Sequence, residues 1–339
     1  MLKSSGPVPE PQRETPAHPL SALTNAAGRS LLKGIVDRER KQDDGHEGTF
    51  LALVAATGLW SLATGKSDSA ASARQHFPLP EKLYVVDTDL PTHNEDHTIT
   101  DKGKERTITV RYIKPHEVDF DDDFYLKTNR YTIIKDDDFI GTRWLGHLAS
   151  IPTKIFFWDA RAGWGLSEDG TKNVLGMLER DTTVSGLTVR INHNEVFEDT
   201  IRAFTDERAK ERNNFVARAL YGVPETLLGE FFSELRRGDY YNPMTGTMVL
   251  YSDIPAIYAH EAGHHKDFAR FDSDWIYSMT GYIPGVCLYQ EAKASFGAKD
   301  ELLPEPLQWQ AKRYLIPAYA TYVLYSAWAF ARIFSKRFE

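Results

Sequence analysis

The stretch that decides the reading is "AHEAGHHKD", residues 259–267, in which three histidines, two acids and a lysine share nine positions. On a helix, positions i and i+4 lie one turn apart on the same face, so His260 and His264 can present two imidazoles to a single ion. Glu261 then points into the same cleft without being a ligand. A carboxylate there is placed to take the proton of a water attacking a carbonyl and to pass it to the leaving amine. The preceding "IPAIYA" supplies Ile254, Ile257 and Tyr258 as an apolar side, so the helix is expected to be partly buried. Gly263 costs up to about 1 kcal/mol in helix propensity, and its missing side chain lets a neighbouring element come close. The strand "TMVLYS" (247–252) just upstream is expected to offer an exposed edge to which an extended peptide can add.

His260, Glu261 and His264 resemble the zinc motif of the zincin metallopeptidases, over roughly residues 150–300. The resemblance implies a strand-rich upper half packed on the motif helix, zinc on the two histidines, and Glu261 as general base. The metzincin pattern would place a histidine six residues after His264, where Arg270 stands, and a glycine where Asp267 stands. "YSMTGY" (277–282) is only faintly similar to the methionine turn of that group. The gluzincin pattern takes a glutamate from a second helix. It implies Glu291, twenty-seven residues after His264 in "LYQEAKASFGA", as the third ligand, ahead of Asp267, Asp272 and Asp274. Relatives in that group often carry an acid near the position of Ser295 to orient a histidine, and here that acid is absent.

Asp267, three residues past His264, is better placed as a hydrogen-bond acceptor or a surface charge. His265 lies about 100° off the ligand face and is expected to meet solvent or substrate. Tyr251, Tyr277, Tyr282 and Tyr289 are the candidates for a hydrogen bond to an oxyanion. His193, in "RINHNEV", reads as a turn residue. The bland alternative is an exposed helix whose histidines and acids need no ion.

The rest of the chain bounds these readings. Its 339 residues are 42% hydrophobic and 26% charged, an ordinary globular balance for one or two domains. A formal net charge of −8 argues against nucleic acid as a partner, which would need a basic face. One cysteine, Cys287, permits neither an internal disulfide nor a Cys-rich zinc ribbon. No glycine loop precedes a lysine in the phosphate-binding manner, and "GWGLS" (163–167) lacks the spacing of a nucleophile elbow.

Five segments follow from composition. Residues 1–47, proline-rich at the start, are expected to form a disordered or extended tail. Residues 48–65, "GTFLALVAATGLWSLATG", are a candidate membrane anchor or apolar helix. Residues 82–145 read as a β-rich module through "KLYVVDTDL", "RTITVRYI" and "RYTIIKDDDF". Its acid clusters, "DFDDDF" (119–124) and "DDDF" (136–139), lack EF-hand spacing and read as solvated turns. Residues 150–312 are expected to form the catalytic domain, with a strand at "KIFFWDA", a helix at "TKNVLGMLERD", a strand at "GLTVRIN" and a helical run from Glu195 towards Leu235. Residues 313–335 read as an apolar C-terminal helix, a second candidate span. Basic residues before the first apolar stretch outnumber those after it. The expectation is therefore a membrane-associated protein whose catalytic domain lies on the non-cytoplasmic side.

The sequence thus predicts an α+β protein with a zincin-like mixed sheet and active-site helix. It would bind one zinc per chain on His260, His264 and Glu291, with Glu261 as base, and cleave a peptide or protein substrate. The rival readings are a catalytically inactive zincin-fold scaffold that binds peptides or a membrane, and a zinc hydrolase acting on another amide or ester.

Overall fold

The computed structural model describes residues 77–101, 104–136, 146–157 and 159–335. In chain order the strands β1 (Leu83–Val85), β2 (Asp87–Thr88), β3 (His93–Asp101), β4 (Lys104–Ile113), β5 (Phe124–Lys127) and β6 (Tyr131–Lys135) come first. Helices α1 (Ile151–Phe157) and α2 (Glu168–Arg180) precede β7 (Leu187–Ile191). Helices α3 (Val196–Thr205), α4 (Glu207–Arg212) and α5 (Val223–Arg236) lead to the hairpin of β8 (Tyr240–Asn242) and β9 (Thr247–Leu250). The chain ends in α6 (Pro255–Phe268), α7 (Asp274–Thr280), α8 (Pro284–Gly297) and α9 (Ile316–Ser335). This is an α+β protein with a mixed sheet.

Among the described residues, nine strands form two sheets, a three-stranded one in the order β1-β4-β3 and a six-stranded one in the order β2-β5-β6-β7-β9-β8. Strands β6, β7 and β9 run parallel, and the flanking strands run antiparallel. Because β2, β5 and β6 continue into β7 and β9, no break in the sheet coincides with the boundary near residue 145 that composition suggests.

Side-chain alternation explains how the large sheet is covered. Leu187, Val189 and Ile191 of β7, with Met248 and Leu250 of β9 and Tyr241 of β8, belong to the apolar core together with Val174, Leu175 and Leu178 of α2 and Ala256, Ala259 and Ala262 of α6. The opposite face is polar yet buried. Arg190 donates to Asp199 of α3 at 3.0 and 3.1 Å, with exposures of 2% and 0%. Arg202 reaches Thr188 and Thr247, and Asn242 reaches Thr226 and Glu230 of α5. A strand buried on both faces, as parallel strands usually are, thus carries an arginine only because α3 brings the matching acid.

Several sequence expectations change here. "KIFFWDA" is helical through Phe157: Pro152 sits in the first turn of α1, where its missing N–H would have no partner anyway. A short apolar run does not by itself distinguish strand from helix. The helical run after Glu195 is divided where Asp206 and Asn214 cap new helices, Asp206 accepting from the amides of Arg208 and Ala209 and Asn214 from that of Ala217. Strand β9 is not an edge, because β8 pairs along it from Tyr240↔Val249 to Asn242↔Thr247.

The membrane expectation is corrected. Among the described residues, no helix is long and apolar enough to cross a membrane. The tyrosines of the C-terminal stretch dilute its hydropathy, and its polar groups make contacts within the protein. The Tyr314 hydroxyl donates to Asp159 at 2.5 Å, and Ser326 of α9 donates to the carbonyl of Pro284 at 3.0 Å. The expected membrane-associated location, with a catalytic domain on the non-cytoplasmic side, therefore has no spanning helix among the described residues. The tail 1–47, the stretch 48–65 and most of "DDDF" lie outside the described residues.

Replacing Asp199 with alanine removes the carboxylate that accepts two hydrogen bonds from the buried Arg190 guanidinium and leaves it with the half-exposed Glu198 and the neighbouring Glu230. Urea unfolding is expected to show a loss of roughly 3–5 kcal/mol. A loss below about 1 kcal/mol would mean that the pair does not hold the polar face.

Candidate metal centre

Two helices meet at one glycine. A Cβ on Gly263 would lie 2.7 Å from the carbonyl oxygen of Ala294 and 3.0 Å from its Cα, so α6 and α8 touch backbone to backbone. This is the close approach that the bare position in the motif suggests. Pro255 and Pro284 stand in the first turns of these helices, where proline is best tolerated. On α6, His260 and His264 are one turn apart, as are Glu291 and Ser295 on α8. Close contact brings the two pairs face to face.

The Nε2 atoms of His260 and His264 are 3.1 Å apart. The Glu291 carboxylate oxygens lie 3.4 Å from the first and 3.7 Å from the second. Three ligands held about 2.0–2.1 Å from a tetrahedral zinc would be roughly 3.3 Å from one another. The separations here are comparable, running from the two ring nitrogens to different oxygens of Glu291, and one possible ligand atom from each residue lies within 4.8 Å of the others. Two imidazoles and a carboxylate are also a donor set of the kind that leaves a fourth position open in catalytic zinc sites. The expected ligands His260, His264 and Glu291 are therefore brought together.

Further contacts orient the ligands. His260 Nδ1 is 3.2 Å from the hydroxyl of Ser295. When Nε2 offers its lone pair to a cation, Nδ1 carries the proton and Ser295 accepts it. Burial alone would push His264 towards its neutral form, but the Glu291 carboxylate outweighs it and raises the pKa to about 9. Burial likewise opposes charge on Glu291, and the two histidines overcome it, holding the carboxyl well below its ordinary range. Without a cation, these groups form an ion pair whose proton a metal would displace. Glu261 is 8% exposed, and burial, with the nearby Asp239 and Glu291 charges, raises its pKa despite the histidines.

The other expected residues have different employment. His265 is in the core at 2% exposure, and neither solvent nor substrate reaches it. Its Nε2 donates to the Ser185 carbonyl at 2.9 Å and its Nδ1 faces the Tyr241 hydroxyl at 3.1 Å. Burial, with Arg208 and Arg212 nearby, lowers its pKa to about 4. Asp267 is buried and accepts from the Tyr277 hydroxyl. Asp274 is taken by Arg212 at 2.9 Å, and Asp272 is exposed. Tyr251 is occupied by Glu234, and Tyr282 is 3.3 Å from Glu225.

A different tyrosine faces the centre. Helix α9 runs antiparallel to α8: Phe330 lies over Gly285, Ser326 bonds Pro284, and Tyr319 stacks edge-on with Phe296. That register places Tyr322 opposite Cys287 and Glu291. Tyr322 is 37% accessible, and Glu291, then burial and Glu261, hold its pKa far above that of a free tyrosine. Tyr322 is not among the tyrosines that lie near the motif in sequence, because only packing of α9 on α8 brings it there. The available signal is a phenol every third residue, Tyr319, Tyr322 and Tyr325, in an otherwise apolar helix. Where the resemblance implies an acid, the Ser295 hydroxyl meets His260 Nδ1 instead.

Two other groupings bring possible ligand atoms within 4.8 Å of one another: Asp136, His193 and Glu195 at the ends of β6 and β7, and the more exposed Asp119, Asp121 and Glu168. In the first, His193 Nε2 and Glu195 are already 2.8 Å apart. The α6–α8 centre has the buried Glu261 carboxylate beside its candidate ligands. No family model, curated protein or solved structure matches the chain.

Substituting Gly263 with alanine forces a side chain against the Ala294 backbone and separates the two ligand pairs. Zinc affinity, measured by chelator competition, is expected to fall ~10-fold or more. Unchanged affinity would show that the helix contact does not set the site.

Proposed function

We propose that the chain is a zinc-dependent metallopeptidase of gluzincin type. In this reading, residues 150–312 provide a zincin-like catalytic domain, and His260, His264 and Glu291 hold one zinc per chain. The observation that carries the proposal is Glu261, a buried carboxylate with a raised pKa, beside His260, His264 and Glu291, whose possible ligand atoms gather within 4.8 Å of one another. A site built only to staple the fold gains nothing from a base there and would more often close with a fourth protein ligand. This favours a hydrolase over the inactive scaffold.

When bound, zinc supplies a Lewis acid that acidifies water and polarises a carbonyl. Glu261 removes the proton of the attacking water through its carboxylate and returns it to the leaving amine nitrogen. Burial raises its pKa above the ordinary carboxylate value, the direction that suits a group that must both take and return a proton. Tyr322 Oη, kept protonated by the surrounding carboxylates, donates a hydrogen bond to the oxygen that gains charge. Ser295 fixes the ring of His260, and the Gly263 contact fixes the distance between the two ligand helices.

The test is a comparison of three proteins on a mixed peptide library, with metal content measured on each. The parent chain is expected to carry one zinc and to cleave peptides. Glu261→Gln keeps the zinc and loses turnover, and Tyr322→Phe keeps the zinc with kcat lower by roughly 10²–10³-fold. Parental cleavage by Glu261→Gln removes the catalytic assignment. Zinc without cleavage of any peptide, but with hydrolysis of other amides or esters, favours the rival hydrolase.

A further inference from the structure

A histidine that binds a metal normally donates its second ring proton to a carboxylate, a backbone carbonyl or water, and that partner sets both the ring orientation and the basicity of the coordinating nitrogen. At this centre the partner of His260 is a side-chain hydroxyl. Ser295 Oγ lies 3.2 Å from His260 Nδ1 and is 6% exposed, so the contact is sheltered from water. Its position is fixed twice. Ser295 follows Ala294, the residue pressed against Gly263, and it stands one turn after Glu291 on the same face of α8. Glu291, the nearest carboxylate, is directed to the Nε2 side of both rings, so it does not replace the hydroxyl at Nδ1.

The chemical consequence follows from charge. A neutral hydroxyl orients the ring, but it withdraws the Nδ1 proton less strongly than a carboxylate, because hydrogen bonds with an ionised partner are about twice as strong. His260 Nε2 is therefore a weaker donor to the cation than it would be beside an aspartate. We propose that Ser295 is a positioning residue that holds His260 through a neutral contact and thereby sets a loose, exchangeable grip on zinc. The centre would then fill and empty with the surrounding zinc supply, which makes metal availability a control on the activity. This inference rests on the metal-centre reading above and deepens it.

The experiment measures zinc affinity of the full chain by competition with a chromophoric chelator, independently of catalysis, for the parent and three variants. Ser295→Asp is expected to bind zinc ~10–100-fold more tightly than the parent, and Ser295→Ala ~10-fold more weakly. Ser295→Thr, which retains the hydroxyl, stays within about threefold of the parent. Opposite shifts for Asp and Ala are the signature, since a residue that only packs would lose affinity with either change. Thermal melting of the metal-free proteins identifies any variant that fails to fold, and the Ala–Thr comparison carries the test if the buried aspartate does so. If zinc binds the parent but Ala and Thr do not differ, or Asp and Ala shift in the same direction, the inference falls and the metal centre stands. If the parent takes up no zinc at all, the centre itself is refuted and this inference with it.

Discussion

The contact between Gly263 and the Ala294 backbone is the constraint on which the candidate site depends. Two imidazoles on one helix present a half-site whatever surrounds them. They become a triangle of ligands only when a second helix brings a carboxylate within a few ångströms, and ordinary helix spacing of 8–10 Å would hold it away. A glycine that weakens α6 as an isolated helix therefore strengthens the tertiary arrangement. The same contact carries Ser295 to the far nitrogen of His260, so one missing side chain determines both the ligand geometry and the ligand orientation.

The rest of the fold holds α6 in place from the other side. His265, neighbouring the candidate ligand His264, is locked between the Ser185 carbonyl and the Tyr241 hydroxyl. Asp267 and Asp274 tie the end of α6 to α7 and α4 through Tyr277 and Arg212. Histidines and acids adjacent in sequence thus divide into a set that faces the cleft and a set that fastens the helix. Beneath them, β7 and β9 give α6 an apolar floor, and α3 and α5 cover the polar side of the sheet.

Much of the centre was legible in the sequence because it rests on local spacing. His260 and His264 share a face by helix geometry alone, and Glu261 follows from adjacency. Glu291 required a pattern across twenty-seven residues, and only a resemblance supplied it. What stayed hidden depended on tertiary packing. No periodicity reveals that Tyr322, thirty-one residues further on, returns across α8, or that a serine fills the place of an acid. His265 was misread because helical angle tells which residues leave the ligand face and not what covers the other faces. The fold shows the same division. Strands with clear alternation, such as β4 and β6, were readable, whereas "KIFFWDA" and the C-terminal apolar stretch were ambiguous because short or tyrosine-rich apolar runs suit several environments.

Zinc K-edge X-ray absorption on the purified chain tests the central claim most directly. The account predicts one bound zinc whose spectrum carries two imidazole rings and oxygen donors at about 2.0–2.1 Å, with one ring lost in a His264→Ala variant. A parent protein without zinc, or zinc whose spectrum shows sulfur or is unchanged by His264→Ala, would contradict it.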